Sequence, residues 1–450
     1  MYLCNSVIPQ MFMKFSNHHF TIIKYYINIE FGTINDMPAY YTSDMKKIVL
    51  TLGCCLSYYV SFAQNAPNVI PQNNIVKDTA RQTDLIDIGK ALFRISPKKI
   101  REQRDKKLYF SILPSSSSPG GSGRVLITST TAGVYLASKK TTNLSSVTFA
   151  PYWNFGSRFG LPLRSNIWLP NNTWNIQGDT RFLVYPQYTW GLGDGKSESE
   201  KLLVNYKYIR FYQNALKRIK PYFFAGLGYN LDYRFNINSD DPNTTLKDYT
   251  GYEYGTGKNS FSSGISLNLL YDTRNNSINP LPGMYANMVY RINPAFLGSN
   301  DSWSSIYTDV RKYISLNPAK PNQQNTLAIW SYFWTTLNSK TPYLDLPSTG
   351  WDPYNRSARG MDQNRYRGRS LFYLEGEYRR DITENGLLGF VVFTNVNTVS
   401  GSGSLFTSWH AAAGTGLRIK FNKGSNTNIG IDYGLSKGYS NVMFSLGEAF

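Results

Sequence analysis

The chain has 450 residues, 41% hydrophobic, 17% charged and 15% aromatic, with a formal net charge of +18. Charged residues fall well below the quarter or so of a soluble globular domain. Together with 34 Tyr and 36 Gly, this argues against an ordinary soluble protein and for a strand-rich chain at a membrane interface. The Lys and Arg residues are dispersed rather than clustered, so the basic balance reads as contact with outer-membrane lipids and lipopolysaccharide, not as a nucleic-acid footprint.

Taken in chain order, Met45, Lys46 and Lys47 precede "IVLTLGCCLSYYVSFAQ". A basic start, an apolar run and a small-residue site ending at Ala63 predict a secretory signal peptide over 45–63. Residues 1–44 have no place in a signal, so Met45 reads as the true start and 1–44 as an upstream extension. A lipoprotein site at Cys54 is the alternative, although the apolar run continues past it. Cys4, Cys54 and Cys55 all precede the cleavage site, as do His18 and His19. The exported chain would then carry no thiol and only His410, which leaves no disulfide framework and no thiolate metal site. No cofactor is expected. Beyond the leader there is no apolar run near the ~20 residues a membrane helix needs, so a membrane reading requires a barrel.

Residues 64–106 read as a short periplasmic lead-in. Within it "LIDIGKALFRI" (85–95) is amphipathic. It is either a short helix at or inside a barrel mouth or part of a disordered approach. The basic run "SPKKIREQRDKK" (96–107) reads as solvated.

Residues 107–450 have one texture. Runs of roughly 10 residues alternate in hydrophobicity and are split by Asn, Gly, Pro, Ser and Asp, as in membrane barrels. In "SLFYLEGEYRR" (370–380), Glu375, Glu377 and Arg379 alternate with Leu374 and Tyr378. A soluble sandwich would point such charges at water, whereas a membrane barrel would point them at its lumen. In 409–421, Trp409, Ala411, Ala413, Thr415, Leu417, Ile419 and Phe421 share one face, opposite His410, Ala412, Gly414, Gly416, Arg418 and Lys420. About 15 to 16 runs are visible, and an even count of 16 strands is expected, the first near 108–113. Short turns fall at 279–283, 382–386 and 422–426, and long polar loops at 237–260 and 338–368. Counted back from a periplasmic end, the long loops all lie outside, which favours the all-β transmembrane barrel.

Several segments resemble the BamA/TamA-type outer-membrane assembly barrels of the bacterial surface antigen superfamily. "LLYDTRNNSINPLPGMYANM" (269–288) is similar to a family hairpin, with Asp272, Arg274, Pro280 or Pro282, and Gly283 as its turn motif. "ARGMDQNRYRG" (358–368) resembles the Arg-Gly-aromatic motif of an inward-folded sixth loop, with Met361 where the family usually has the aromatic. "YLEGEYRR" (373–380), "GTGLRIKF" (414–421) and "IGIDYG" (429–434) resemble the closing strands, although relatives often carry an Asp where Thr394 and Asn395 stand here. The resemblance covers roughly 269–450. It implies that Arg359, beside Gly360, meets Glu375, Glu377 or Asp432 on the lumen wall. The other reading leaves Arg359 exposed and the wall charges merely wetting a channel. The resemblance also implies insertion or translocation of proteins (or lipids) through a first-to-last strand seam, with client proteins or periplasmic partners. Phe444, Leu446 and Phe450, in phase, would be the signal for the cell's own barrel-assembly machinery. Family members carry periplasmic docking domains, and 64–105 cannot hold even one. A passive channel, a structural surface antigen and an outer-membrane enzyme are the alternatives. For the last, Gly434–Gly438 fits a nucleophile-elbow pattern, but no His follows it.

Overall fold

The computed structural model describes residues 82–94, 108–117, 125–138, 141–154, 156–193, 195–274, 278–280, 282–320, 323–401, 406–424 and 426–450, all within the compact unit Asn74–Phe450. The predicted leader over 45–63 and the extension upstream of it lie outside the described residues.

A single antiparallel sheet pairs each strand with its neighbours along the chain. Its strands are β1 (Leu108–Ser117), β2 (Val125–Val134), β3 (Ser145–Phe149 with Tyr152–Trp153), β4 (Phe159–Trp168), β5 (Trp174–Val184 with Gln187–Thr189), β6 (Leu202–Lys220), β7 (Phe223–Ser239) and β8 (Asn259–Asp272). They continue as β9 (Gly283–Asn293), β10 (Trp303–Ser315), β11 (Asn325–Thr336), β12 (Ser370–Asp381), β13 (Leu388–Val399), β14 (His410–Asn422), β15 (Thr427–Ser436) and β16 (Tyr439–Leu446). The two parts of β3 both lie between β2 and β4. The two parts of β5 both pair with β6. Each is one interrupted strand, so the described residues trace the sixteen strands the sequence suggests. β1 and β16 lie side by side, and among the described residues no backbone ladder joins them.

The side-chain pattern is that of a protein in lipid. On β14, Leu417 is 56% exposed while the adjacent Arg418 is 4% exposed. On β15, Tyr433 and Leu435 face out beside buried Asp432. Only hydrocarbon outside and polar groups inside make that alternation favourable. Tight connections such as 221–222, 382–387 and 423–426 gather at one end of the barrel, the turn end, and the long loops 240–258 and 337–369 at the other.

The amphipathic stretch in the lead-in forms helix α1 (Leu85–Leu92), started by a reciprocal cap between Asp84 and Asp87. It docks at the turn end. The Thr83 N–H donates to Asn385 O at 3.1 Å. Lys423 donates through its backbone to Asp84 and through Nζ to Asp87 at 2.7 Å.

The loop 337–369 folds into the lumen. Its first limb buries Tyr343, Leu344, Leu346 and Trp351 against Tyr206 and Tyr208 of β6. Its second limb buries Ala358 and Met361 against Tyr332, Tyr373 and Ala412. Phe450 departs from the expected phase. Val442 and Phe444 face outward, but β16 ends at Leu446 and Gly447 takes φ +82°, which turns the chain inward. Phe450 is then 3% exposed inside the barrel, not on the face of Phe444.

Candidate functional site

The lumen wall sets the site by register. Glu375 lies between Trp330 of β11 and Asn395 of β13. Glu377 lies two residues on, on the same inward face, between Ala328 and Phe393. Across β14, Asp432 of β15 pairs with Gly416. A Cβ at Gly416 would collide with Asp432, and one at Gly414 with the Phe393 ring and Tyr433 O. The glycines of β14 therefore clear the wall for the groups that act there.

Arg359, on the second limb of the inward loop, enters this gap. Its Nε donates to Glu375 at 3.0 Å and its Nη1 to Asp432 at 2.9 Å. Nη2 donates to both Glu375 and Glu377. The guanidinium lies 3.8 Å over the Phe393 ring. Burial alone would lower its pKa, but Glu375, Glu377 and Asp432 outweigh that and hold it well above its usual value. The loop backbone is fixed as well: Tyr373 OH accepts from Ala358 N at 3.1 Å, and Asn395 Nδ2 donates to Arg359 O at 2.9 Å. Gly360, at φ +86°, stacks on Gly434, where an added Cβ would lie 2.7 Å from Gly360 Cα. Asp432 and Glu377 each serve two arginines: Arg418 donates to Asp432 at 2.5 Å and Arg379 to Glu377 at 2.5 Å. The structure thus brings Arg359, Gly360, Glu375, Glu377 and Asp432 together as one network. Met361 fills the place of the family's aromatic, buried, with Asn397 Nδ2 3.0 Å from its sulfur.

The turn motif also forms. Arg274 donates to Asp272 through Nε at 2.9 Å and Nη2 at 2.8 Å, and lies 4.2 Å over Tyr285. At Gly283, which opens β9, a Cβ would sit 3.2 Å from Thr273 O. Pro280 is buried and Pro282 exposed. Ser436 of the elbow-like stretch ends β15 at the hairpin to β16.

Sequence reasoning missed a second anchor. Asp345, on the first limb of the loop, accepts from Arg234 Nη1 at 2.6 Å and from Ser262 at 3.2 Å. Arg234 is two residues from Asp232, which takes Arg291 at 2.6 Å. The alternating Asp232 and Arg234 of β7 were the available signal, being the pattern that marks Glu375, Glu377 and Arg379.

Residues 138–450 match the family model of the Omp85 superfamily domain. No curated protein matches the chain. Among solved structures, CdiB from Acinetobacter baumannii is 13% identical with a TM-score of 0.50, over 76% of this chain and 60% of that one. CdiB from Escherichia coli is 12% identical at 0.51, over 76% and 62%. BamA from Haemophilus ducreyi lacking POTRA domains 1-3 is 16% identical at 0.48, over 75% and 69%. The chain spans about three fifths of each CdiB chain.

Proposed function

Since the chain belongs to the Omp85 superfamily, whose barrels form an outer-membrane insertion and translocation class, we propose that it assembles or inserts proteins (or lipids) in the bacterial outer membrane through its β1–β16 seam. The lumen in this reading is a locked interior, not a conduit. The observation that carries it is Arg359, drawn from an outer loop into contact with three carboxylates on two strands, one of them the neighbour of β16. The absence of a ladder between β1 and β16 among the described residues supports the seam. A client held there would add strand to strand, satisfying backbone groups that lipid cannot. Outer loops with Lys196, Lys201 and Lys247 meet lipopolysaccharide on the same reading, and the turn end faces periplasmic partners. Single-channel conductance in a planar bilayer tests the locked lumen. The expected record for wild type is small, flickering openings that grow in Arg359→Ala. A large, steady conductance from wild type would establish a passive channel instead.

A further inference from the structure

Toward the loop end of β6, Tyr206 carries a buried hydroxyl with no hydrogen-bond partner among the described residues. The charges of Arg234, Arg367 and Arg158 all act on it. Each of these guanidinium groups also keeps one buried nitrogen without an acceptor: Nε of Arg234, Nε of Arg367 and Nη1 of Arg158. The three residues are 1%, 0% and 3% exposed. Arg158, just before β4, donates through Nε to Pro186 O at 3.0 Å and lies 4.6 Å over Tyr185. The Tyr185 ring is in turn 6.4 Å from that of Tyr206. Arg367, near the end of the inward loop, donates through Nη1 to Tyr343 O and Leu346 O and through Nη2 to Asn364. Its own carbonyl accepts from Gly193 N–H at 2.7 Å. The carboxylates nearby are already held. Asp345 takes Arg234 and Ser262, and Asp232 takes Arg291 and Arg210. Asp345 also attracts Arg367, but among the described residues no carboxylate touches Arg367 or Arg158. A charge taken out of water needs a counter-charge, and a buried donor left unpaired is costly. One small anion answers both needs.

We propose that the Tyr206 hydroxyl, Arg158 Nη1 and Arg367 Nε bind a halide ion, chloride in ordinary surroundings, with Arg234 supplying a further positive charge beside it. The donors decide the class of anion. Arg367 has only Nε to give, since backbone carbonyls and Asn364 take its other nitrogens. An oxyanion such as phosphate is best met by the paired nitrogens of a guanidinium fork. A sphere accepts single donors from several sides. The ion joins three segments far apart in the chain: the connection ahead of β4, the wall strand β6 and the last part of the inward loop. It therefore braces the loop against the wall near the loop end of the barrel, at a place neither Arg359 nor Asp345 reaches. The inference is independent of the assembly reading and holds for any function of the barrel.

The test uses the full chain, refolded in detergent and checked by heat-shift gel. Urea midpoints are read at constant ionic strength while sodium gluconate is replaced stepwise by sodium chloride. Chloride should raise the midpoint along a saturating curve. At about a hundred times its dissociation constant, the folded-to-unfolded ratio should gain about a hundredfold. A general salt effect grows without saturating and is stronger for sulfate than for chloride, and that pattern overturns the site. Tyr206→Phe keeps the ring and removes only the hydroxyl. In chloride it deletes a ligand to the ion, so it should flatten the curve. In gluconate it deletes an unpaired buried hydroxyl, so the midpoint should stay level or rise. A chloride curve in Tyr206→Phe equal to that of wild type overturns the proposal. Crystals of the wild-type chain grown in bromide need no variant. An anomalous peak in contact with Tyr206, Arg158 and Arg367 is the expected result, and ordered water alone at that position is the overturning one.

Discussion

A guanidinium taken out of water needs its charge and its donors answered by the protein. Arg359 has Glu375, Glu377 and Asp432 for that purpose, and Asp432 and Glu377 are in turn held by Arg418 and Arg379. Removing Arg359 leaves several carboxylates crowded and underpaired. Arg359→Ala should cost about 3–5 kcal/mol, read as a lowered urea midpoint of the refolded barrel. Arg359→Lys should recover little of this, because one ammonium cannot reproduce a planar fork spanning two strands. Gly434→Ala tests the same contact by shape alone. Its methyl would press on Gly360 Cα at 2.7 Å, so it should push the loop off the wall and reproduce the enlarged conductance of Arg359→Ala with every charge intact. At this scale much was legible in the sequence. Period-two alternation placed Glu375 and Glu377 on one face, and the Arg-Gly motif named their partner. Asp345 was not legible, since Arg234 lies 111 residues away and nothing local pairs them. Phe450 was placed on the wrong face because the inward turn depends on a positive φ at Gly447, which alternation does not encode.

Strands and the lead-in helix answer to different solvents. Leu417 sits mid-strand on the outer face of β14, 56% exposed, where the surroundings are hydrocarbon. Leu417→Arg should destabilise the barrel by about 2–4 kcal/mol in lipid vesicles, whereas Thr415→Ser on the same face should leave unfolding nearly unchanged. Strand positions were recoverable from the sequence because lipid outside and charge inside impose a two-residue period that single substitutions rarely hide. The helix α1 was ambiguous, since eight amphipathic residues are too few to be stable alone and its order depends on the turns it meets. Slight burial pushes the Asp87 carboxyl up, but the Lys423 hydrogen bond and charge pull it below its ordinary value. A depressed folded pKa means the contact contributes fully above the unfolded value of about 3.9. It is lost as pH falls through the lower folded value. Amide protection over 85–92, taken relative to the intrinsic exchange rate at each pH, should therefore be high at neutral pH and fall in acid below about pH 3.9. Lys423→Ala should show the low protection at every pH.

Across the whole molecule the inward loop acts as a strut. β7 and β15 are eight strands apart in a ring of sixteen, so Arg234 and Asp432 stand on opposite walls, and the loop reaches both, through Asp345 on one limb and Arg359 on the other. Around these anchors it packs into two aromatic clusters, one with Tyr343 and Trp351, the other with Met361 against Tyr332 and Tyr373. A plug held at one end can swing on the other, whereas one held at both ends must lose both before the lumen clears. Asp345→Asn keeps the side-chain volume but removes the charge that answers Arg234. Alone it should leave the barrel plugged, with openings little larger than wild type. Combined with Arg359→Ala it should give long, steady openings, a conductance beyond the sum of the two single changes. The stability costs, by contrast, should add to within about 0.5 kcal/mol, because the two anchors share no partner. Conductance that is merely additive would mean that each limb moves independently, and the loop would then be two separate lids rather than one brace across the lumen.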